Sequence, residues 1–245
     1  MNELVKMSKI KKTYDDKRYI LNGLDFSLKK GEIATIWGAS GCGKSTFLNI
    51  VGLLDNFTEG SYEFNGHTIN RKKLNSYYRQ RATDIGFVFQ AYYLIDSISV
   101  RENILMPFLY NNKYIDKSVM ADLDNILTDF NITELRDNKV SLLSGGEKQR
   151  VAISRAMIKK PKLIIADEPT GNLDDANTKL VIKAFNKIAE SGTAIIVVTH
   201  NRHLSFDNGK VYSLEGGLLK PCWESKNSPF ILNICCLCPQ SIGFG

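Results

Sequence analysis

Apolar and β-branched residues gather in short runs along the chain, and the spacing within each run separates strands from helices. Ile33–Trp37, Ile85–Phe89, Leu163–Ala166 and Ala194–Val198 read as strands. The last three are nearly continuous apolar runs, which predicts strands buried on both faces, as in a parallel sheet. Between the last two, Leu180, Ala184 and Ile188 step by four and predict a helix. Strand–helix–strand alternation belongs to the α/β class. Leu4–Ile10 and Leu24–Leu28 alternate instead, predicting an antiparallel sheet beside the main one. From about Ala91 to Ala156 the strand signal stops. There Val119, Met120, Leu123, Ile126, Leu127 and Phe130 recur at three- and four-residue spacing, one apolar face of a helix. The expected organisation is one domain over residues 1–222. In it, residues 1–90 and 157–222 form an α/β core with the β subdomain, and residues 91–156 form an inserted helical subdomain.

The pattern breaks down after Lys220. Residues 223–245 carry no charge beyond Lys226 and no clear period, and read as a disordered or loosely docked tail. A hydrophobic contact with a partner and a thiol site are its functional alternatives. The apolar run Phe230–Leu237 is too short to cross a bilayer, and no stretch of about 20 apolar residues occurs elsewhere. The amino terminus has no apolar signal-peptide core, so a cytoplasmic location is expected.

Composition changes this picture little. The net charge of +6 comes from scattered Lys and Arg, which reads as a solvated surface; no nucleic-acid partner is expected. Of five cysteines, Cys42 sits in a glycine-rich loop as a small filler. Cys222, Cys235, Cys236 and Cys238 have no histidine nearby and give no metal signature, and the odd total suits reduced thiols.

Three segments carry chemistry. Gly38-Ala39-Ser40-Gly41-Cys42-Gly43-Lys44-Ser45-Thr46 follows the strand Ile33–Trp37 and precedes a helical run, the context that the phosphate-loop pattern requires. Glycines let backbone N–H groups converge on phosphate oxygens, and the helix that begins near Lys44 points its positive end at the same anion. Lys44 adds a full charge toward the β- and γ-phosphates, and the Ser45 hydroxyl is placed to ligate Mg²⁺. In the second segment, the apolar run Leu163–Ala166 ends in Asp167-Glu168. Ligands gather at the carboxyl ends of strands in such sheets. Asp167 suits the metal sphere and Glu168 suits a general base that polarises water. In the third, Leu143-Ser144-Gly145-Gly146-Glu147 opens a helical run, with Ser144 and Glu147 spaced as a capping box. That start is either a well-made cap alone or a second anion site.

With these motifs in this order, the chain from Leu4 to about Leu219 resembles the ABC transporter ATPase family. The resemblance implies a P-loop NTPase fold with a RecA-like core, an antiparallel β subdomain and an inserted α-helical subdomain, and it implies ATP and Mg²⁺ as ligands. In that family the LSGGEKQR segment completes the active site of the opposite subunit. Ser144, Gly145, Gly146 and Glu147 would then contact the nucleotide of a second copy, or of a paired ABC ATPase. Asp174 matches the aspartate that communicates across the dimer. Tyr14 looks like the aromatic that stacks on adenine. Gln90 resembles the glutamine that touches Mg²⁺ and reports to the membrane partner, and His200 the histidine that contacts the γ-phosphate and orients water.

The strings Ala166-Asp-Glu-Pro-Thr-Gly-Asn-Leu-Asp174 and Glu102-Asn-Ile-Leu-Met-Pro-Phe-Leu-Tyr110 are similar to one branch, the ATPases of lipoprotein-releasing and macrolide- or peptide-exporting systems (LolD-like and MacB-like). This resemblance implies an integral membrane permease as partner, a place on the inner face of the membrane, and export of a lipoprotein-type, drug or antimicrobial-peptide substrate, with bacteriocin export first. Asp96 stands where that branch often has proline. The alternative is a non-transport ABC ATPase, either DNA-associated or a cell-division regulator. The DNA-associated kind insert long coiled coils, and no sustained heptads occur here. Both Glu168 and His200 are present, against a purely regulatory, non-hydrolysing role.

Overall fold

A computed structural model describes residues 3–15, 18–109, 115–171, 173–201, 204–207 and 209–222. The tail 223–245, with Cys235, Cys236 and Cys238, lies outside the described residues. In chain order the strands and first helices are β1 (Glu3–Lys12), β2 (Leu21–Lys29), β3 (Ile33–Trp37), α1 (Lys44–Val51), β4 (Glu59–Phe64), β5 (His67–Thr68), α2 (Tyr78–Asp84) and β6 (Ile85–Val88). Helices α3 (Val100–Leu109), α4 (Lys117–Asp129) and α5 (Gly145–Met157) follow. The chain continues through β7 (Leu163–Asp167), α6 (Asp175–Glu190), β8 (Ala194–Thr199), β9 (Lys210–Glu215) and β10 (Leu218–Cys222).

The strands form two sheets, in the orders β2-β1-β4-β5 and β10-β9-β3-β8-β7-β6. The first is antiparallel; in the second, β9, β3, β8, β7 and β6 run parallel and β10 returns antiparallel at the edge. Register explains why chemistry collects at one end of the parallel sheet. Trp37 pairs with Thr199 and Asp167 with Val198, so β3, β8 and β7 finish at nearly the same level. Gly38, His200 and Glu168 are the next residues out from those ends, and Gln90 lies two beyond the end of β6.

The continuous apolar runs are buried on both faces, as their composition requires. On one face Ala34, Ile36, Ile165, Ile196 and Val198 join α1 and the antiparallel sheet in one apolar cluster. On the other, Ile33, Ile164, Ala166, Ile195 and Val197 join α3–α6 in a second. The helices over 91–156 therefore share their core with the sheet: Ile104, Leu123, Leu127 and Val151 lie in the same cluster as Val88 and Val197. Along α6 the deepest positions are Val181 and Phe185, one residue on from the Leu180–Ala184 step, with Leu180 and Ile188 as partly buried flanks. That shift widens the apolar stripe to face both the sheet and its neighbouring helices.

Two hairpins were not anticipated. Asn65-Gly66 links β4 to β5 and Gly216-Gly217 links β9 to β10, all four residues at positive φ (49°, 78°, 58° and 79°). Two-residue turns of that handedness match strand twist, and Asn-Gly and Gly-Gly are their preferred sequences. Among the described residues, no helix is long and apolar enough to cross a membrane.

Candidate functional site

The loop after β3 is shaped by close approach. A Cβ on Gly38 would lie 2.6 Å from the Cys42 sulfur and 2.9 Å from the Leu214 carbonyl oxygen, so only glycine lets the chain turn there. Gly43 is the N-cap of α1 at φ 106°, in the left-handed region. It offers no capping side chain, and the first turn of α1 has no acidic residue. The orphan N–H groups and the positive end of the helix dipole thus face the loop's cavity without an internal counter-charge. Lys44 Nζ donates to the carbonyls of Gly38 (2.8 Å) and Ala39 (2.9 Å), holding the ammonium within the curve of its own loop. Cys42 packs against the apolar cluster, which fits its reading as a filler.

Ser40, Gly41, Gly43, Lys44, Ser45 and Thr46 line a cavity of about 460 Å³ together with Ile20, Gln90, Asp167, Glu168 and His200. The phosphate loop and the acidic pair, far apart in sequence, meet here only because of the sheet order. A second cavity of about 500 Å³ adjoins it and contains Tyr14, Arg18, Tyr19 and Cys42; Ile20 and Gly41 line both. The Tyr14 hydroxyl donates to Asp55 Oδ2 (2.7 Å), and Lys12 Nζ sits 4.5 Å from the ring centroid. Lys12 is itself only 4% exposed and bonds Asp55 Oδ1 (2.8 Å) and Asn56 Oδ1 (3.0 Å). Burial alone would raise the Asp55 carboxyl, but hydrogen bonds from Lys12 and Tyr14 outweigh it and hold the group below its ordinary value. Sequence reasoning missed this Lys12–Asp55 support, because the partners are 43 residues apart.

The acidic pair is polarised by its surroundings. Burial pushes the Asp167 carboxyl above its ordinary value, the Glu168 charge adds to that, and Lys44 pulls the other way. Ionised Asp167 is therefore under-compensated, the condition in which a bound cation gains most. Glu168 adopts φ 50°, a strained region for a non-glycine residue, with its N–H bonded to the Val198 carbonyl (2.9 Å). Its Oε1 accepts the His200 N–H (2.7 Å) and faces His200 Nδ1 (2.8 Å), while Oε2 accepts the Thr199 hydroxyl (3.0 Å). The Glu168 side chain is 9% exposed and that of His200 72%. Thr199 also escaped the sequence reading, since a threonine closing an apolar run looks like a strand end.

The cavity brings Lys44, Ser45, Gln90, Asp167, Glu168 and His200 together, but none of Ser144, Gly145, Gly146, Glu147 or Asp174 lines it. Those five belong to another cluster. Ser144 caps α5 with a complete capping box: its hydroxyl meets the Glu147 N–H (3.4 Å) and Glu147 Oε2 (2.7 Å), and the same Oε2 accepts the Ser144 N–H (2.8 Å). Asp174 caps α6, accepting the Asn177 N–H at Oδ1 (2.8 Å) and its amide at Oδ2 (3.0 Å). The Asn177 carbonyl oxygen accepts from Arg150 on α5, so Asn177 ties the start of α6 to the Ser144 helix.

Beyond Gln90 the chain turns through Tyr92 and Tyr93, both left-handed (φ 61° and 48°), and Arg155 of α5 donates to both carbonyls. Asp96 pairs with Lys148, also on α5, at 3.3 Å. This corner borders a third cavity, about 380 Å³, with a floor of Phe87, Phe89, Tyr93, Met106 and Pro107 and the cations Arg81, Arg155 and Lys159 among its lining. Among the described residues no carboxylate lines it.

Comparison with known proteins places this geometry. The family described as ABC transporter matches residues 21–171. The chain is 43% identical over 205 residues to a lipoprotein-releasing system ATP-binding protein LolD of Aquifex aeolicus, covering 84% of this chain and 91% of that protein. It is 36% identical to the macrolide export ATP-binding/permease protein MacB of Syntrophobacter fumaroxidans over 89% of this chain but 31% of that longer protein. Among solved structures, the dimeric bacterial ABC transporter cassette MJ0796 superposes with a TM-score of 0.77 at 31% identity, covering 88% and 96% of the two chains. A post-hydrolysis dimer of the same cassette, bound to ADP and phosphate, gives the same figures.

Proposed function

The chain belongs to the ABC transporter ATPase family and is an ATP hydrolase; from that premise we propose that it drives a separate membrane permease by closing on a second ATPase subunit around ATP. The observation that carries this reading is the half-built site. One cavity holds the phosphate loop, the acidic pair, Gln90 and His200, and the capped α5 start stands outside it. A second copy presenting Ser144, Gly145 and Gly146 would supply the missing wall. The MJ0796 cassette is a dimer, and LolD is the ATP-binding protein of a releasing system, which supports both halves of the proposal.

Within each site the chain's own residues do little covalent work, because phosphoryl transfer is governed by position and charge. Lys44 and the open N–H groups of α1 bind the phosphates. Tyr14, steered by Asp55, offers its ring to the base. Glu168 orients the attacking water and accepts its proton, and His200, held against Glu168, borders the cavity where the γ-phosphate would lie. Mg²⁺ fits this donor set. Ser45, Gln90 and Asp167 supply hard oxygens, and Asp167 lacks a full counter-charge. Among the described residues no group of three His, Cys, Asp or Glu could hold a metal, so the ion is expected to arrive with the nucleotide. Held by Ser45, Gln90 and Asp167, such an ion would supply positive charge to offset the negative charge of the phosphates.

The apolar groove with Arg81, Arg155 and Lys159 is the surface on which we place the permease, next to Gln90 through the Arg155-held corner. Membrane attachment on the cytoplasmic face and export of a lipoprotein-type, drug or peptide substrate follow from that partner. Reconstitution with the permease tests the proposal: ATP turnover should rise on assembly, and Met106→Glu in the groove should remove the rise while leaving basal turnover within about twofold. Equal stimulation of the variant would remove the groove from the account. Stimulation by DNA and not by the permease would favour a non-transport role.

A further inference from the structure

The Thr199 hydroxyl has no task in the reaction outlined above, yet its bonding is fully determined. Thr199 closes β8 and is 0% exposed. Its Oγ1 lies 3.0 Å from Glu168 Oε2 and 3.0 Å from the Asn201 nitrogen. A backbone amide only donates, so the hydroxyl accepts from Asn201, and its single proton is committed to Glu168. The other carboxylate oxygen is held differently. Oε1 accepts the His200 N–H and faces His200 Nδ1. A carboxylate has about four lone-pair directions. Among the described residues Oε1 meets two nitrogens, whereas Oε2 meets one hydroxyl and has one direction open.

We propose that Thr199 is a positioning residue for ATP hydrolysis, fixing Glu168 so that Oε2, and not Oε1, presents its open lone pair to the attacking water. The inference rests on the reading of Glu168 as the general base. As the water oxygen bonds to the γ-phosphorus, its O–H bond breaks and the proton goes to Oε2. The bond from γ-phosphorus to the bridging oxygen breaks, and its electron pair leaves on ADP. Three consecutive residues of one strand end hold the base for this step: Val198 by its carbonyl, Thr199 by its hydroxyl and His200 by its N–H and ring. A strained φ of 50° at Glu168 makes such a clamp necessary, because the carboxylate is aimed from a backbone that would otherwise relax.

The test compares Thr199→Val, which keeps shape and loses the hydroxyl, with Thr199→Ser, which keeps the hydroxyl, in the full chain. Turnover is followed against ATP concentration, with nucleotide affinity and thermal unfolding measured on the same preparations. Thr199→Val should lower kcat about ten- to a hundredfold, the scale of one hydrogen bond to a charged group. KM and ATP affinity should stay within about twofold, and Thr199→Ser should recover most of kcat. Should the valine variant fold poorly, Thr199→Ala removes the same hydroxyl without crowding the strand end and should show the same kcat-only loss. Wild-type kcat in a folded variant without the hydroxyl, or a serine variant as slow as the valine one, overturns the proposal. Glu168→Gln separates the layers. If it is inactive while Thr199→Val is normal, only the positioning role fails; if it turns over normally, the base assignment fails first.

Discussion

Two helices of this chain begin with glycine and serine near a place where phosphate could sit, and the structure finishes them in opposite ways. Helix α1 starts at a left-handed glycine with no capping side chain and no acid in its first turn. Helix α5 starts with a complete capping box, Glu147 turned back on Ser144. The first start is unfinished without an anion, whereas the second is already stable alone. In the proposed dimer the open start would grip the nucleotide, and the capped one would close over it from the other copy. A helix that must keep its shape while waiting for a partner benefits from its own cap, and a helix that must bind tightly benefits from having none. The same division separates the two acid clusters. Asp167 is left under-compensated inside the cavity, and Asp174 is satisfied by Asn177 outside it.

The sharpest way to break this contrast is to stop the reaction that joins the two starts. Glu168→Gln should lower turnover by about a hundred- to ten-thousandfold, the usual span of general acid–base catalysis, while ATP binding persists. Turnover assays beside equilibrium binding decide this, and unaltered hydrolysis would discard the base. Next in size, Lys44→Ala at the open start should weaken ATP binding about ten- to a hundredfold in titration calorimetry. An equal loss of affinity from Ser144→Ala in the isolated chain would erase the distinction between the starts.

Ser144→Ala should instead cost about 1 kcal/mol of stability through loss of the N-cap, read as a lower denaturation midpoint. Its ATP binding as a monomer should be unchanged and its ATP-driven pairing weaker. The smallest effect is pH dependence at the capped start. Hydrogen bonds from the Ser144 hydroxyl, then its N–H, hold Glu147 below its ordinary 4.5. A depressed carboxyl stabilises the fold above the unfolded-state value, and that contribution is lost as pH falls through the lower folded value. The loss should be shallow, because the cap faces solvent. Acid melts of wild type and Glu147→Gln should therefore differ more at neutral pH than below pH about 4, and parallel curves would refute the cap's electrostatic part.

How legible this was in the sequence depended on the range of the interaction. Ile33–Trp37 was readable to the residue from its short run of apolar and β-branched residues. The runs before Glu168 and His200 were readable to within a residue, and that placed both groups at the sheet's end. The capping box was readable because its partners are three residues apart. The hairpins at Asn65-Gly66 and Gly216-Gly217 had a strong local signal that the apolar pattern obscured, since β4 and β9 are short and only partly apolar. The Thr199–Glu168 contact and the Lys12–Asp55 pair had no local signal. Their partners are set by strand register and sheet order, which spacing along the chain does not encode. The residues that line the cavity were therefore legible, and those that hold them in place were visible only in three dimensions.

The central claim is that ATP is held between the open helix start of one copy and the capped start of another. Analytical ultracentrifugation of Glu168→Gln in saturating Mg-ATP tests it most directly. The account predicts a dimer that returns to monomer when ATP is replaced by ADP or when Ser144→Arg is added at the capped start. A monomer under all conditions, or a dimer indifferent to both nucleotide and Ser144, would contradict it.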